Sequence, residues 1–136
     1  MIFVDTDLLI DSVKEVSATL EFLAKLERER GGLATTSINV GEFLRGAARH
    51  GASKAPAGAE QVLRAFVEVP FGPRSARRFG EMMAELDGLG QSLPSADGKI
   101  AAIVLENGGR IATRNTRHFG NVPGLLVLSP DRRPAR

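Results

Sequence analysis

Short runs of apolar residues alternate along this chain with longer segments in which apolar residues recur every three or four positions. The short runs predict five β-strands, over residues 2–4, 33–36, 66–71, 110–113 and 125–128. The longer segments predict helices over residues 14–30, 37–49, 59–65, 73–89 and 96–107. Because strands alternate with helices, the pattern indicates an α/β fold with a mostly parallel sheet.

The first strand has no polar alternation. An unbroken apolar run such as 2–4 is typical of a strand that is buried on both faces of a parallel sheet. We therefore expect one domain over residues 1–128, with strand 2–4 at the centre of its sheet. Residues 129–136 are expected to form a short Pro- and Arg-rich tail.

The composition narrows the class of protein. A length of 136 residues suits one domain with one hydrophobic core. The absence of cysteine excludes disulfides and cysteine-based metal sites. No apolar stretch approaches the roughly 20 residues of a membrane-spanning helix, and no signal peptide is visible, so we expect a cytoplasmic protein without a membrane partner.

The net charge of +2 is small, but the arginines are clustered. Arginine favours phosphate recognition through its fork of donors, although any single cluster is more typical of a solvated surface. The clusters are Arg74, Arg77 and Arg78, then Arg110, Arg114 and Arg117, and finally Arg132, Arg133 and Arg136.

The first strand ends on Asp5, and Thr6 and Asp7 follow it directly. Open α/β sheets bind ligands in the crevice outside the carboxyl ends of their strands, so a carboxylate here is a candidate functional group. The structural alternative is that one of these three side chains caps a helix beginning near Leu8. This stretch alone does not separate the two interpretations.

Two more acidic residues follow later strands. Glu42 lies in helix 37–49, and Asp97 lies at the start of helix 96–107. Asn39 as an N-cap with Glu42 three residues later would form a capping-box pair, and Asp97 would interact favourably with a helix dipole. The apolar spacing nevertheless places Asp97 on a buried face, where a carboxylate needs an arginine, backbone amides or a metal ion as partner.

Asn115 and His118 follow the fourth strand, and Asn115 is the better placed of the two. A lone histidine such as His118 is more often a surface residue than a ligand. Acids at three separate strand ends are harder to explain as three unrelated caps. Clustered carboxylates repel one another, and Mg²⁺ or Mn²⁺, which prefers oxygen ligands, would remove that cost and could activate water against a phosphate.

Four segments resemble a known family. VDTDLLI, GEFLRG, PSADGKIAA and TRNTRHFGNVPGL occur in the order and spacing of PIN-domain proteins. The pattern is similar to the VapC-type branch, whose members are small metal-dependent ribonucleases paired with an antitoxin. The resemblance covers about residues 1–128, and its last segment is the most specific part.

The family's acidic motif matches Asp5, Glu42 and Asp97 in this chain. Its fourth position is often an aspartate and is Asn115 here, which removes one negative charge and puts a second metal site in doubt. The position after the opening DT is often Asn or Ser in the family and is Asp7 here, a candidate replacement for that charge.

The resemblance implies a Mg²⁺- or Mn²⁺-dependent endoribonuclease that is the toxin of a toxin–antitoxin pair. It implies that Asp5, Glu42, Asp97 and Asn115 hold the metal ion, with RNA as substrate and with a homodimer and a cognate antitoxin as assemblies. The antitoxin is expected to insert a segment into the acidic groove, with an arginine approaching Asp5 and Asp97.

Two other functions fit parts of the sequence. A haloacid-dehalogenase-like phosphatase also has D-x-D after its first strand, which Asp5 and Asp7 match, but it leaves Glu42 and PSAD unexplained. A PIN-like RNA-binding module with a decayed metal site is the second alternative, and Asn115 is the feature that supports it. The sequence contains no GxxxxGK[ST] loop, no GxGxxG fingerprint and no convincingly placed Ser/His/Asp set.

Overall fold

A five-stranded sheet, in which every paired strand is parallel to its neighbour, forms the centre of the computed structural model, which describes residues 1–48 and 57–131. The strands are β1 Ile2–Val4, β2 Leu33–Thr36, β3 Val67–Val69, β4 Arg110–Ala112 and β5 Leu126–Leu128. Their order is β3-β2-β1-β4-β5, so the first strand is central, as the apolar run predicted. The predicted α/β class is confirmed.

Seven helices surround this sheet in the described part of the chain: α1 Thr6–Val13, α2 Ser17–Arg30, α3 Ser37–Ala47, α4 Ala57–Leu63, α5 Pro73–Gly88, α6 Ser95–Leu105 and α7 Thr116–Phe119. Most predicted boundaries are correct to within two residues. The short helix α7 was not predicted. The predicted end of α3 at Arg49, most of the predicted loop 52–58 and tail residues 132–136 lie outside the described residues.

Side chains of β1 point alternately to the two faces of the sheet, as strand geometry requires. Phe3 packs in an apolar cluster with α5 and α6 residues such as Leu86 and Ile100. Ile2 and Val4 pack in a second cluster that contains Leu8, Leu9 and Phe43 among its buried residues. Burial on both faces explains why this strand is entirely apolar.

The predicted helix 14–30 is wrong at its start, because two helices meet there. The chain turns after Val13, and the amide of Glu15 donates to Ser12 while the amide of Val16 donates to Asp11. These two bonds form a Schellman motif, in which the residue after the C-cap takes a left-handed conformation. Glu15 occupies that position with φ 56°, where glycine is the usual residue, so the sequence lacks the signal that normally marks a helix end.

The predicted third strand, 66–71, is also too long. Only Val67–Val69 pairs, and it pairs with β2 on one side at the edge of the sheet. Pro70 follows directly and has no backbone N–H to donate, which ends the strand.

Helices α5 and α6 cross closely at Gly98, one residue after Asp97. A Cβ atom at Gly98 would lie 2.6 Å from the Met83 sulfur and 3.0 Å from the Phe79 ring. The missing side chain therefore allows α5 to pack against the first turn of α6 and sets where Asp97 emerges beside the sheet.

Candidate active site

Asp5 lies at the carboxyl end of the central strand and occupies the N-cap position of α1, but its side chain does not cap that helix. Oδ1 accepts a 2.8 Å hydrogen bond from Asn39 Nδ2, and Oδ2 accepts a 2.6 Å bond from Thr113 Oγ1. Asn39 follows β2 and Thr113 follows β4, the two neighbours of β1. The capping alternative is therefore wrong for Asp5, whose carboxylate is held from both sides.

Burial raises the pKa of Asp5 to about 6, since the charged form loses its hydration. The hydrogen bonds from Thr113, the Thr6 backbone and Asn39 favour the charged form and oppose this rise, while the nearby charge of Asp7 adds to it. The side chain is 7% exposed. Asp5 is thus a carboxylate whose ionisation would become more favourable beside a cation.

Glu42 extends from α3 toward Asp5, and its Oε1 accepts a 2.9 Å hydrogen bond from Thr6 Oγ1. The predicted capping box between Asn39 and Glu42 is wrong. Thr36 is the N-cap of α3 and its hydroxyl accepts from the Asn39 amide at 3.0 Å, so Glu42 lies beyond the first turn. The Glu42 carboxylate therefore does not cap the N-terminus of α3.

Asp97 lies in the first turn of α6 and is half-buried, as its spacing predicted. Its partner is His118, whose Nδ1 lies 2.6 Å from Asp97 Oδ2. The same nitrogen lies 3.0 Å from Asn115 Nδ2. A histidine nitrogen either donates or accepts, so His118 Nδ1 donates to Asp97 in one tautomer and accepts from the Asn115 side-chain amide in the other.

Asp7 is bound to backbone amides. Its Oδ1 accepts from the Leu8 amide at 2.8 Å and its Oδ2 accepts from the Arg114 amide at 2.9 Å. Burial raises the pKa of Asp7, and these two amides oppose the rise. Asp7 therefore ties the start of α1 to the segment that carries Asn115, a structural use of the carboxylate that the sequence interpretation did not include.

The arginine clusters are partly engaged in ion pairs. Arg114 pairs with Asp11 and with Asp131, while Arg74 and Arg78 lie 3.7 and 3.8 Å from Glu106. The arginines at 132, 133 and 136 lie outside the described residues.

One cleft of about 800 Å³ brings the four predicted site residues together. Residues of α1 and α3 form most of its wall, to which Asp97 and Asn115 also contribute, and two cations, Lys14 and Arg45, line it as well. Lys14, Arg45 and Asn39 were not predicted as site residues from the sequence. The lining side chains that matter here are Asp5, Thr6, Glu42, Asp97, Asn115, Lys14 and Arg45.

The donor set of this cleft suits a hard divalent cation, because it consists of carboxylate and amide oxygens without sulfur. Within residues 1–48 and 57–131, no three Asp, Glu or His side chains lie close enough to hold an ion by themselves. Mg²⁺ usually takes one or two carboxylates and keeps several waters, so the residues present fit a partly hydrated ion.

No described helix has the length and apolar character that crossing a membrane requires.

Comparison with known proteins places the chain in a family. The family model of the PIN domain matches residues 2–125. Ribonuclease VapC2 of Haemophilus influenzae is 30% identical over 125 residues, which cover 89% of this chain and 91% of that protein.

Solved structures have the same fold. VapBC2 from Rickettsia felis, bound to a promoter DNA fragment, has a TM-score of 0.81 at 18% identity, covering 95% of this chain and 98% of that one. DNA-bound VapBC from Salmonella typhimurium has a TM-score of 0.80 at 22% identity, with coverages of 95% and 97%. The match to the family model overturns the phosphatase alternative. The chain belongs to the PIN domain family, in the branch of the VapC proteins.

Proposed function

We propose that this protein is a Mg²⁺- or Mn²⁺-dependent endoribonuclease and the toxin of a VapBC-type pair that acts in the cytoplasm. The observation that carries the proposal is the convergence of Asp5, Glu42 and Asp97, from three separate elements, on the wall of one cleft. Their partners are Thr113, Thr6 and His118, none of which carries a permanent positive charge. Carboxylates whose hydrogen-bond partners carry no permanent positive charge are suited to bind an external cation.

In this proposal Asp5, Glu42 and Asp97 would hold the ion together with its bound waters, and Asn115 would contribute a neutral oxygen. A bound divalent ion supplies a Lewis acid that lowers the pKa of water and stabilises negative charge on a phosphodiester. Asp5 is fixed by Asn39 and Thr113, so its oxygens are presented without a large loss of side-chain freedom. No protein nucleophile takes part, and no covalent enzyme intermediate forms.

RNA is the proposed substrate because the cleft that contains the acids is also lined by two cations, Lys14 and Arg45. Lys14 lies seven residues after Asp7, which corresponds to about 10 Å along a helix. Lys14 and Arg45 are both exposed and line the same cleft. They are suited to contact backbone phosphates beside the one that reacts, and such contacts position RNA without reading its sequence.

We further propose that a cognate antitoxin covers this cleft and that the toxin is a homodimer. Three of the structural relatives are VapBC or FitAB complexes that are bound to DNA. An inserted arginine beside Asp5 and Asp97 would form charge-assisted hydrogen bonds and compete with metal binding. Light scattering should find a dimer of the toxin at micromolar concentration. A structure of the toxin–antitoxin complex in which the cleft is open and holds metal would contradict inhibition by an inserted arginine.

The test is cleavage of an RNA panel by purified protein across a Mn²⁺ titration. Wild type should cut and EDTA should stop it, whereas Asp5→Asn and Asp97→Asn should lose cutting because each removes charge while preserving size. Asp131→Asn, at an exposed carboxylate paired with Arg114, is the matched control and should cut normally. Equal cutting by all variants, or cutting that EDTA does not affect, would show that the metal mechanism is wrong.

Asn115 supports one competing function, a PIN-like module that binds RNA without cutting it. Asn115→Asp adds charge at the neutral position, so it should leave cutting intact or tighten Mn²⁺ binding. If the wild-type protein binds RNA without cutting it, and only the Asn115→Asp variant cuts, the protein is an RNA-binding module with a decayed metal site.

A further inference from the structure

A directional chain of hydrogen bonds joins two of the cleft carboxylates. Thr36 Oγ1 donates to Asn39 Oδ1 at 2.7 Å. Asn39 Nδ2 donates to Asp5 Oδ1 at 2.8 Å and to Thr6 Oγ1 at 3.0 Å. Thr6 Oγ1 donates to Glu42 Oε1 at 2.9 Å. Asp5 and Glu42 are thereby connected through two uncharged side chains.

The direction of this chain follows from its chemistry. The Asn39 amide has two N–H hydrogens, and Asp5 and Thr6 receive one each. The reversed amide would place its carbonyl oxygen against the Asp5 carboxylate, which is repulsive. Thr6 must therefore accept from Asn39, and its own hydrogen is left for Glu42.

The two ends of the chain differ in mobility. Asn39 is 1% exposed and is anchored by Thr36, whereas Glu42 is an exposed glutamate with several rotatable bonds. Ordering such a side chain costs conformational entropy. A hydroxyl that already holds Glu42 in the free protein lowers that cost at the moment of ligand binding.

Among the hydrogen bonds of the described residues, the Thr6 hydroxyl has no partner except Asn39 and Glu42. It does not support the backbone of α1. We infer that Thr6 is a positioning residue: Asn39 aligns its hydroxyl, which holds Glu42 beside Asp5 so that the two carboxylates bind a divalent cation as a pre-organised pair. This inference rests on the proposed function, because it assumes that both carboxylates bind the ion.

The test measures Mn²⁺ affinity of the full-length protein by titration calorimetry or electron paramagnetic resonance. Thr6→Val keeps the branched shape and removes the hydroxyl, so it should weaken Mn²⁺ binding by roughly tenfold, the lower end of the range for groups that orient metal ligands. Thr6→Ser loses the methyl group and keeps the hydroxyl, so it should restore binding to within about twofold of wild type, since the donor to Glu42 remains.

A double-mutant cycle makes the role specific. In a Glu42→Ala background no oxygen remains at position 42 to accept from the Thr6 hydroxyl, so Thr6→Val should have little further effect on Mn²⁺ affinity. If Thr6 acted only through packing, its effect would be the same in both backgrounds, and that result would overturn the inference.

The remaining outcomes separate the inference from the proposed function. Mn²⁺ binding by wild type with equal affinity in Thr6→Val overturns the positioning role and leaves the metal-dependent function standing. Equal weakening in Thr6→Val and Thr6→Ser also overturns it, because shape rather than the hydroxyl would then matter. A wild-type protein that binds no Mn²⁺ at all overturns the proposed function itself, and the inference with it.

Discussion

Thr113 Oγ1 donates a 2.6 Å hydrogen bond to Asp5 Oδ2 across 108 residues of sequence. The bond is possible because β1 and β4 are parallel neighbours, so that the residues that follow them emerge at one edge of the sheet. The same hydroxyl accepts from the Asn115 amide at 2.9 Å. One buried threonine therefore fixes both the central carboxylate and the backbone of the neutral fourth site residue.

The raised pKa of Asp5 predicts a pH-dependent stability of the metal-free protein. Asp5 titrates near 3.8 when unfolded and at about 6 when folded, so the folded state binds the proton more tightly. Its contribution is present below pH 4 and is lost as pH rises through 6, by about 3 kcal/mol for a pKa difference of about two. The raised pKa of Asp7 acts in the same direction.

The measurement is the free energy of unfolding in urea with EDTA between pH 4 and 8. Asp5→Asn should remove most of the decline and should be more stable than wild type at pH 7.5. Asp131→Asn, at an exposed carboxylate, should follow the wild-type curve. Identical curves for wild type and Asp5→Asn would contradict the assignment of the decline to Asp5.

Neutralising the two cleft cations should weaken RNA binding through its electrostatic part. The substitutions Lys14→Gln and Arg45→Gln are made together in the inactive Asp97→Asn background. The logarithm of the RNA association constant falls with the logarithm of the salt concentration, and the double substitution should make this slope shallower by about 1.4, which is about 0.7 for each lost phosphate contact with single-stranded RNA. Fluorescence anisotropy across a salt series measures this slope. Lys25→Gln with Arg28→Gln on α2, two exposed cations outside the cleft lining, is the control. An equal change in slope would mean that the cleft is not the RNA site.

A methyl group at Gly98 should be destabilising, because the Met83 and Phe79 side chains must move to admit it. Gly98→Ala places Cβ against Met83 and Phe79, so it should lower the free energy of unfolding by roughly 1–3 kcal/mol, the usual cost of overpacking. Gly80→Ala in α5 has no atom within 4 Å and should be neutral or stabilising by up to about 1 kcal/mol. Urea unfolding of both variants tests this packing, and equal effects would show that Met83 and Phe79 move aside without a cost in stability.

Glu15 predicts a stabilising substitution. Glu15→Gly should raise the free energy of unfolding by about 1 kcal/mol, because glycine adopts φ 56° without the steric cost that a Cβ atom brings. Glu15→Ala keeps Cβ and should bring no such gain. Thermal and urea unfolding of the pair decide whether the left-handed turn between α1 and α2 is strained.

The hydrophobic pattern by itself indicated the α/β class and the central position of β1. These features follow from local rules. A strand covered on both faces must be apolar throughout, and parallel strands all present their carboxyl ends at one edge. The expected placement of three acids at strand ends is correct only for Asp5, because Glu42 lies in the second turn of α3 and Asp97 follows helix α5 rather than a strand. The resemblance in the acidic motif then selected Asp5, Glu42, Asp97 and Asn115 from the many polar residues of the chain.

Predictions from local sequence were wrong where a residue has a backbone conformation or a role that is unusual for its type. Glu15 follows α1 in a conformation typical of glycine, so the sequence lacked the signal for the turn at residues 14–16 and the predicted helix 14–30 began three residues too early. Asparagine is a residue type often found at helix N-caps, but Thr36 is the N-cap of α3. The side-chain amide of Asn39 therefore donates to Asp5 and Thr6 instead of capping the helix.

Only the tertiary structure decided how the site is held together. The partners of Asp5 are 34 and 108 residues away, and those of Asp97 and Glu42 are 21 and 36 residues away. These partners meet because β2 and β4 both lie beside β1. That strand order is a property of the tertiary structure, and the local sequence around each residue does not specify it. The raised pKa of Asp5, the shared cleft and its cations depend on burial and on long-range contacts, which no local pattern of residues encodes.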